Sequence, residues 1–167
     1  TMFITPNLPR LRILFAKNYT DNLSEEVKKG YNEKVNQGWM PHQPPIGYKT
    51  VGEKGRKIHI IDEGVEYLVR KIFELYDSGN YSLKRLEKEV FKLGLRSKRG
   101  NRINKSKIHE ILINPFYVGR FKWGNKVHNG KHKPLISTEL FDRVQSLLNS
   151  KSTPVHSKRN FLFKSLL

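Results

Sequence analysis

Apolar residues recur at every fourth position near the start of the chain: Leu11, Phe15, Tyr19, Leu23, Val27, Tyr31 and Val35. That spacing predicts one long helix from about Leu8 to Asn36, roughly 40 Å in length. The stripe is narrow and polar residues surround it, so such a helix extends from a domain or packs on a partner helix rather than burying a broad face. An alternative breaks the helix at Asn22–Ser24, with Ser24 capping a second piece. Gln37 to Pro45 (QGWMPHQPP) cannot be helical, because Gly38 and the prolines at 41, 44 and 45 impose an extended, semi-rigid connection.

Beyond it, IGYKTV and RKIHII alternate as two short strands around the turn GEKG. Asp62 then opens an amphipathic helix with Val65, Leu68, Val69, Ile72, Phe73 and Tyr76 on one face, stopped at Ser78-Gly79-Asn80. Ser82 caps the next helix, with Leu83, Leu86, Val90 and Leu93 inside and Gly94 as its stop. Asn104 caps a third, carrying Ile108, Ile111 and Leu112 inward and ending at Asn114-Pro115. FYVGRFKW and the run around KVHNGKHKPLI form a small hairpin. Ser137 starts a last helix with Leu140, Phe141, Val144, Leu147 and Leu148 inside. Lys151 to Asn160 is polar, and Phe161 to Leu167 turns apolar again. The predicted fold is mainly α with small β hairpins, an α+β chain.

Charge changes this picture. The 167 residues carry a net +17, which calls for an anionic partner, nucleic acid before an anionic membrane surface. Lys92 to Lys133 holds twelve Lys or Arg and one acid, Glu110, so +11 of the +17 is concentrated in 42 residues. A solvated surface mixes its signs more evenly. No apolar run approaches a membrane span, and no signal peptide is visible. The chain has no cysteine, which excludes disulfides and Cys-ligated zinc. His128 and His132 have a spacing that zinc ligands can show. Without a second pair, a surface hairpin is the better reading. His42 and His59 are isolated. No paired carboxylates, Ser/His/Asp set or phosphate-cradling loop occurs in a suitable context, and GEKG and KRGN are turns. No cofactor is expected.

The densest charge lies in RSKRGNRINKSKIHEIL, directly ahead of the Asn104-capped helix. Helix, loop, helix is the order of a helix-turn-helix with an enlarged turn. With Ile108, Ile111 and Leu112 against the core, Ser106, His109, Glu110 and Ile113 point outward, flanked by Lys105 and Lys107. Lys105, Ser106 and His109 are therefore the candidate base-reading residues. Arg96, Lys98, Arg99, Arg102 and Lys107 are the candidate phosphate contacts, since phosphate contacts position and base contacts specify. The same charge also suits a basic RNA-binding or assembly protein without duplex specificity, or a stand-alone helix-turn-helix regulator.

NLSEEVKKGYNEKVNQGW, PPIGY, VRKIFELYDSGNYSLKRLEKEVFKLGLRSKRG, SKIHEILINPFYVGRFKW and PLISTELFDRVQSLL, in that order, resemble the recombinase domain of large serine recombinases, the integrases and transposases of phages and mobile elements. The resemblance runs from about Ala16 to Leu148. It implies sequence-specific binding of double-stranded DNA at an attachment or transposon-end half-site, for integration or excision. It also implies a parent enzyme, a dimer or tetramer on DNA, whose separate catalytic domain carries the phosphoserine-forming nucleophile and whose zinc-ribbon domain follows. Neither is in this chain, so no catalytic residue is assigned and the chain alone is expected to be inactive. The implied organisation is 1–36, a long helix from a catalytic domain; 37–46, a linker; 47–151, the DNA-binding domain; and 152–167, a linker toward a zinc ribbon. In such enzymes the linker crosses the minor groove, which puts Trp39 and His42 near it. The implied setting is the bacterial cytoplasm, at the nucleoid, with no membrane partner.

Overall fold

The computed structural model describes residues 8–152 apart from Lys54 and Lys98, and side chains between Arg12 and Ser150. The predicted apolar return at 161–167 lies outside the described residues. Helix α1 (Leu8–Asn36) runs unbroken, which removes the alternative break at Asn22–Ser24. Consecutive members of its apolar stripe advance about 40° around the axis, so Phe15 faces roughly 200° away from Val35. Exposure follows that rotation and the departure of the helix from the domain: Val35 is 4% exposed, Phe15 and Tyr19 70%.

Strands β1 (Tyr48–Val51) and β2 (Ile58–Ile61) form an antiparallel hairpin, with Tyr48 opposite Ile61 and Val51 opposite Ile58. Helix α2 (Glu66–Asp77) begins four residues later than Asp62, because Asp62 first makes a turn in which its carbonyl accepts from the amides of Val65 and Glu66. Helix α3 (Leu83–Lys92) is capped by Ser82, and α4 (Lys105–Ile113) by the Asn104 side chain, which accepts from Lys107 N at 2.9 Å. A 3₁₀ turn (Pro115–Val118) leads into the hairpin of β3 (Arg120–Trp123) and β4 (Lys126–Asn129), and α5 (Thr138–Ser152) closes the domain. Helix α2 packs on α3 and α5, and α4 packs on α3 and α5. Their apolar faces meet in one core with Tyr48, Phe116, Tyr117, Phe121 and Leu135.

Two sequence expectations are corrected. Leu93 is 44% exposed, whereas Leu95 is 1% exposed. The reason lies in how α3 stops. Gly94 takes φ +89°, its amide bonds to Phe91 O, and Leu95 N bonds back to Val90 O at 3.2 Å. This six-to-one closure swings the residue after the glycine into the core and leaves the one before it outside. His132, expected on a surface hairpin, is buried. Its ring stacks on Phe116 with centroids 3.7 Å apart, and its Nε2–H donates to Phe116 O at 2.7 Å. A Cβ on Gly130 would collide with that ring. The tautomer follows: Nε2 carries the proton, and Nδ1, buried without a partner, does not.

Burial holds the His132 pKa below its ordinary value. The unfolded chain takes up that proton near pH 6.5 and the folded chain does not. The stabilisation is fully present above about pH 6.5 and is lost progressively as pH falls from there toward the folded-state value. Denaturation midpoints measured from pH 8 to pH 5 should decline below about 6.5, and the decline should be shallower in His132→Gln. Separately, Leu95→Ala should lower unfolding free energy by about 2–4 kcal/mol and Leu93→Ala by less than about 1 kcal/mol, as read by urea titration.

Candidate nucleic-acid interface

The basic loop between α3 and α4 is a tight hairpin. Arg96 and Arg102 pair across its neck as an isolated antiparallel bridge. Ser97 N bonds to Asn101 O at 2.9 Å, Gly100 N to Ser97 O at 2.8 Å, and Ser97 Oγ accepts from Asn101 N at 3.1 Å. Both neck arginines lie over Phe91 of α3, with guanidinium carbons 3.9 Å and 5.0 Å from the ring centroid. Arg96 also donates to the carbonyls of Phe91 (2.9 Å), which already accepts from Gly94 N, and Leu95 (3.0 Å), just past the end of α3. Arg102 pairs with Glu87 at 3.2 Å.

The predicted phosphate contacts therefore divide. Arg96 and Arg102 build the loop. Lys107 is paired with Glu110 at 2.7 Å. Arg99 is exposed at the tip and has no ion pair among the described residues. Lys98 lies outside the described residues. The proposed readers fare differently: Lys105, Ser106 and His109 are all exposed on one end of α4, while Ile108, Ile111 and Leu112 hold its other face in the core. Asn104 satisfies one first-turn amide, and the helix dipole adds partial positive charge beside Lys105.

The linker is fastened to the domain rather than loose. At the end of α1, Gly38 at φ +85° lets its amide reach Val35 O and Trp39 N reach Lys34 O, and the Gly38 carbonyl accepts from Lys131 N at 2.9 Å. His59, buried on β2, donates from Nε2 to Met40 O at 2.9 Å. His42 stands between Tyr31 and Trp123, at centroid distances of 5.8 Å and 5.1 Å, and Trp123 Nε1 donates to Asn32 Oδ1 at 3.3 Å. Of the two linker residues singled out by sequence, His42 is exposed beside α4's side of the linker, whereas Trp39 sits apart, half-buried edge-on to His59. A groove of about 490 Å³ separates the linker from α4, lined by His42, Gln43, Pro45, Arg99, Lys107 and Asn114. A second, of about 570 Å³, opens across the linker and is lined by Lys34, Lys49 and Lys57. Sequence reasoning missed these three lysines. They are spread over three elements, and only the crossing of the linker over the first hairpin unites them.

With this geometry in hand, comparison with known proteins is decisive for the family. Residues 64–151 match the model of the Recombinase family. The chain belongs to that family. The matched stretch contains α2 to α4, the second hairpin and all but the last residue of α5, so the loop and helix described above lie within the recombinase domain. No curated protein matches the chain. Among solved structures, an LSR–DNA complex aligns with a TM-score of 0.62 at 22% identity, over 75% of this chain and 38% of the other. A structure from work on the sequence requirements of the Listeria innocua prophage attP site aligns at 0.61 and 23% identity, over 74% and 51%. At these identities the likeness is one of fold. It bears out the α+β architecture, and the chain spans about half or less of the chains it aligns with. No helix among the described residues is long and apolar enough to cross a membrane.

The Phe91 platform makes a local prediction for the recombinase domain. Phe91→Ala should speed hydrogen exchange at the amides of 96–102 with a global loss of only about 1–2 kcal/mol. Unchanged exchange there would show that the bridge and Glu87 hold the loop without the ring.

Proposed function

We propose that this recombinase domain binds double-stranded DNA sequence-specifically, at a half-site used by a serine site-specific recombinase of a phage or other mobile element. The observation that carries the reading is α4: a capped helix with its polar end, Lys105, Ser106 and His109, turned outward behind a loop pinned by its own arginines. A helix of that form enters a major groove with its N-terminal residues at the base edges. The matched family and the likeness in fold to an LSR–DNA complex support it. Arg99 and Lys107 then hold the backbone, and Lys107 exchanges Glu110 for phosphate. Arg96 and Arg102 contribute field and loop shape more than direct grip. His42, with Gln43 beside it, lies toward the minor groove.

In the whole protein, on this reading, α1 connects to a catalytic domain and the residues after α5 lead to a zinc ribbon. Strand exchange through a phosphoserine belongs to the catalytic domain, and the dimer or tetramer to the assembled enzyme on bacterial nucleoid DNA.

Selection from a random-sequence duplex pool at two salt concentrations tests the reading. One recovered motif, sharpened at higher salt, is the expected result. Salt-sensitive binding without a motif, or tighter binding to structured RNA, would overturn it. Within the recovered site, Arg99→Gln should weaken all sequences alike by about fivefold, or about 1 kcal/mol. His109→Ala should instead change preference at one base pair, by about 1–3 kcal/mol.

A further inference from the structure

The cleft across the linker from α4 is a second cationic site. Lys34 reaches it from the last turn of α1, Lys49 from β1 and Lys57 from the residue before β2, and Thr50 and His42 also line it. Asp62 is the one carboxylate among its lining residues. None of the three lysines has an ion pair among the described residues, unlike Lys107 at the first groove. An exposed lysine on a hairpin is stabilised by an acidic partner across from it. Lys49 lies opposite Ile60 and Lys57 lies just before Ile58, so no such partner is provided.

His42 and Gln43 line both clefts. They form a thin partition with a cationic groove on each side. The partition is extended, because the flanking prolines deny it a helix, and it is fastened at Gly38 and Met40. A thin extended segment between two phosphate seats matches a minor groove, about 6 Å wide and walled by two backbones.

We propose that the Lys34–Lys49–Lys57 cleft seats a phosphodiester backbone, the far wall of the minor groove, while the Arg99–Lys107 groove seats the near one. The inference rests on the DNA reading above and deepens it. The β1–β2 hairpin becomes a clamp that adds affinity and sets register without reading bases.

The test compares this chain with Lys49→Gln/Lys57→Gln on the duplex recovered by selection, by the slope of log affinity against log salt and by phosphate-ethylation interference. Each lost phosphate contact lowers the slope by about 0.9. The double variant should lose a slope of about 1.8 and the interference on the backbone across the minor groove from the α4 contacts. Its preferred sequence should be unchanged, and Lys49→Arg/Lys57→Arg should restore the slope. Both lysines are exposed, and matching thermal unfolding of the variants checks folding. If the unsubstituted chain binds duplex and the double variant keeps its slope and interference pattern, the clamp is refuted alone. If the unsubstituted chain shows no salt-dependent duplex binding, the DNA reading falls and the clamp with it.

Discussion

The hydroxyl of Tyr117, donated at 2.8 Å to the carbonyl of Ile46 inside the core, ties together parts of the chain that lie far apart in sequence. Tyr117 is fully buried, and an unmade hydrogen bond there would carry a desolvation penalty of about 1–3 kcal/mol. Its own carbonyl accepts from Leu135 and Ile136. One residue thus joins the end of the linker, the turn after α4 and the exit of the second hairpin. The neighbouring Phe116 repeats the pattern through His132, and Asn114 closes the turn by accepting from Phe116 N at 3.0 Å. Burial also drives the Tyr117 phenol pKa well above its ordinary value, so the hydroxyl remains a donor across the working pH range. The position of α4 relative to the linker, and hence the groove between them, follows from this knot.

Local rules predicted most of the fold. The helix caps at Ser82, Asn104 and Ser137 and the stop at Gly94 are short-range chemistry, and the 3.6-residue periodicity of α2 needs no tertiary information. What local rules missed was set by distance along the chain. Leu93 and Leu95 compete for the same core position, and a helix-only count favours Leu93 because it assumes the helix continues. His59 looks isolated and His132 looks like a surface residue until Met40 and Phe116 arrive as acceptors from 19 and 16 residues away.

The candidate interface was legible in outline and not in its division of labour. Charge density pointed to the loop and its helix. It could not separate cations that hold the loop from cations that face outward, because Phe91 and Glu87 do that sorting from α3. Nor could it gather Lys34, Lys49 and Lys57, which a count along the sequence leaves outside the densest segment. Two arginines over one ring, one also paired with a carboxylate, show how a highly charged segment can be kept in a single shape: part of the charge is spent on rigidity, and the remainder is displayed.

The end of α1 is fixed at Gly38, whose carbonyl is held by Lys131 of the domain, and at Asn32, held by Trp123. A helix of 29 residues anchored at one end is a lever with a short, stiff fulcrum. At ~1.5 Å per residue, a tilt of about 5° at the fulcrum displaces the far end by about 4 Å, more than the length of a hydrogen bond. Small adjustments in how the domain seats would be magnified into large changes in where the opposite tip points.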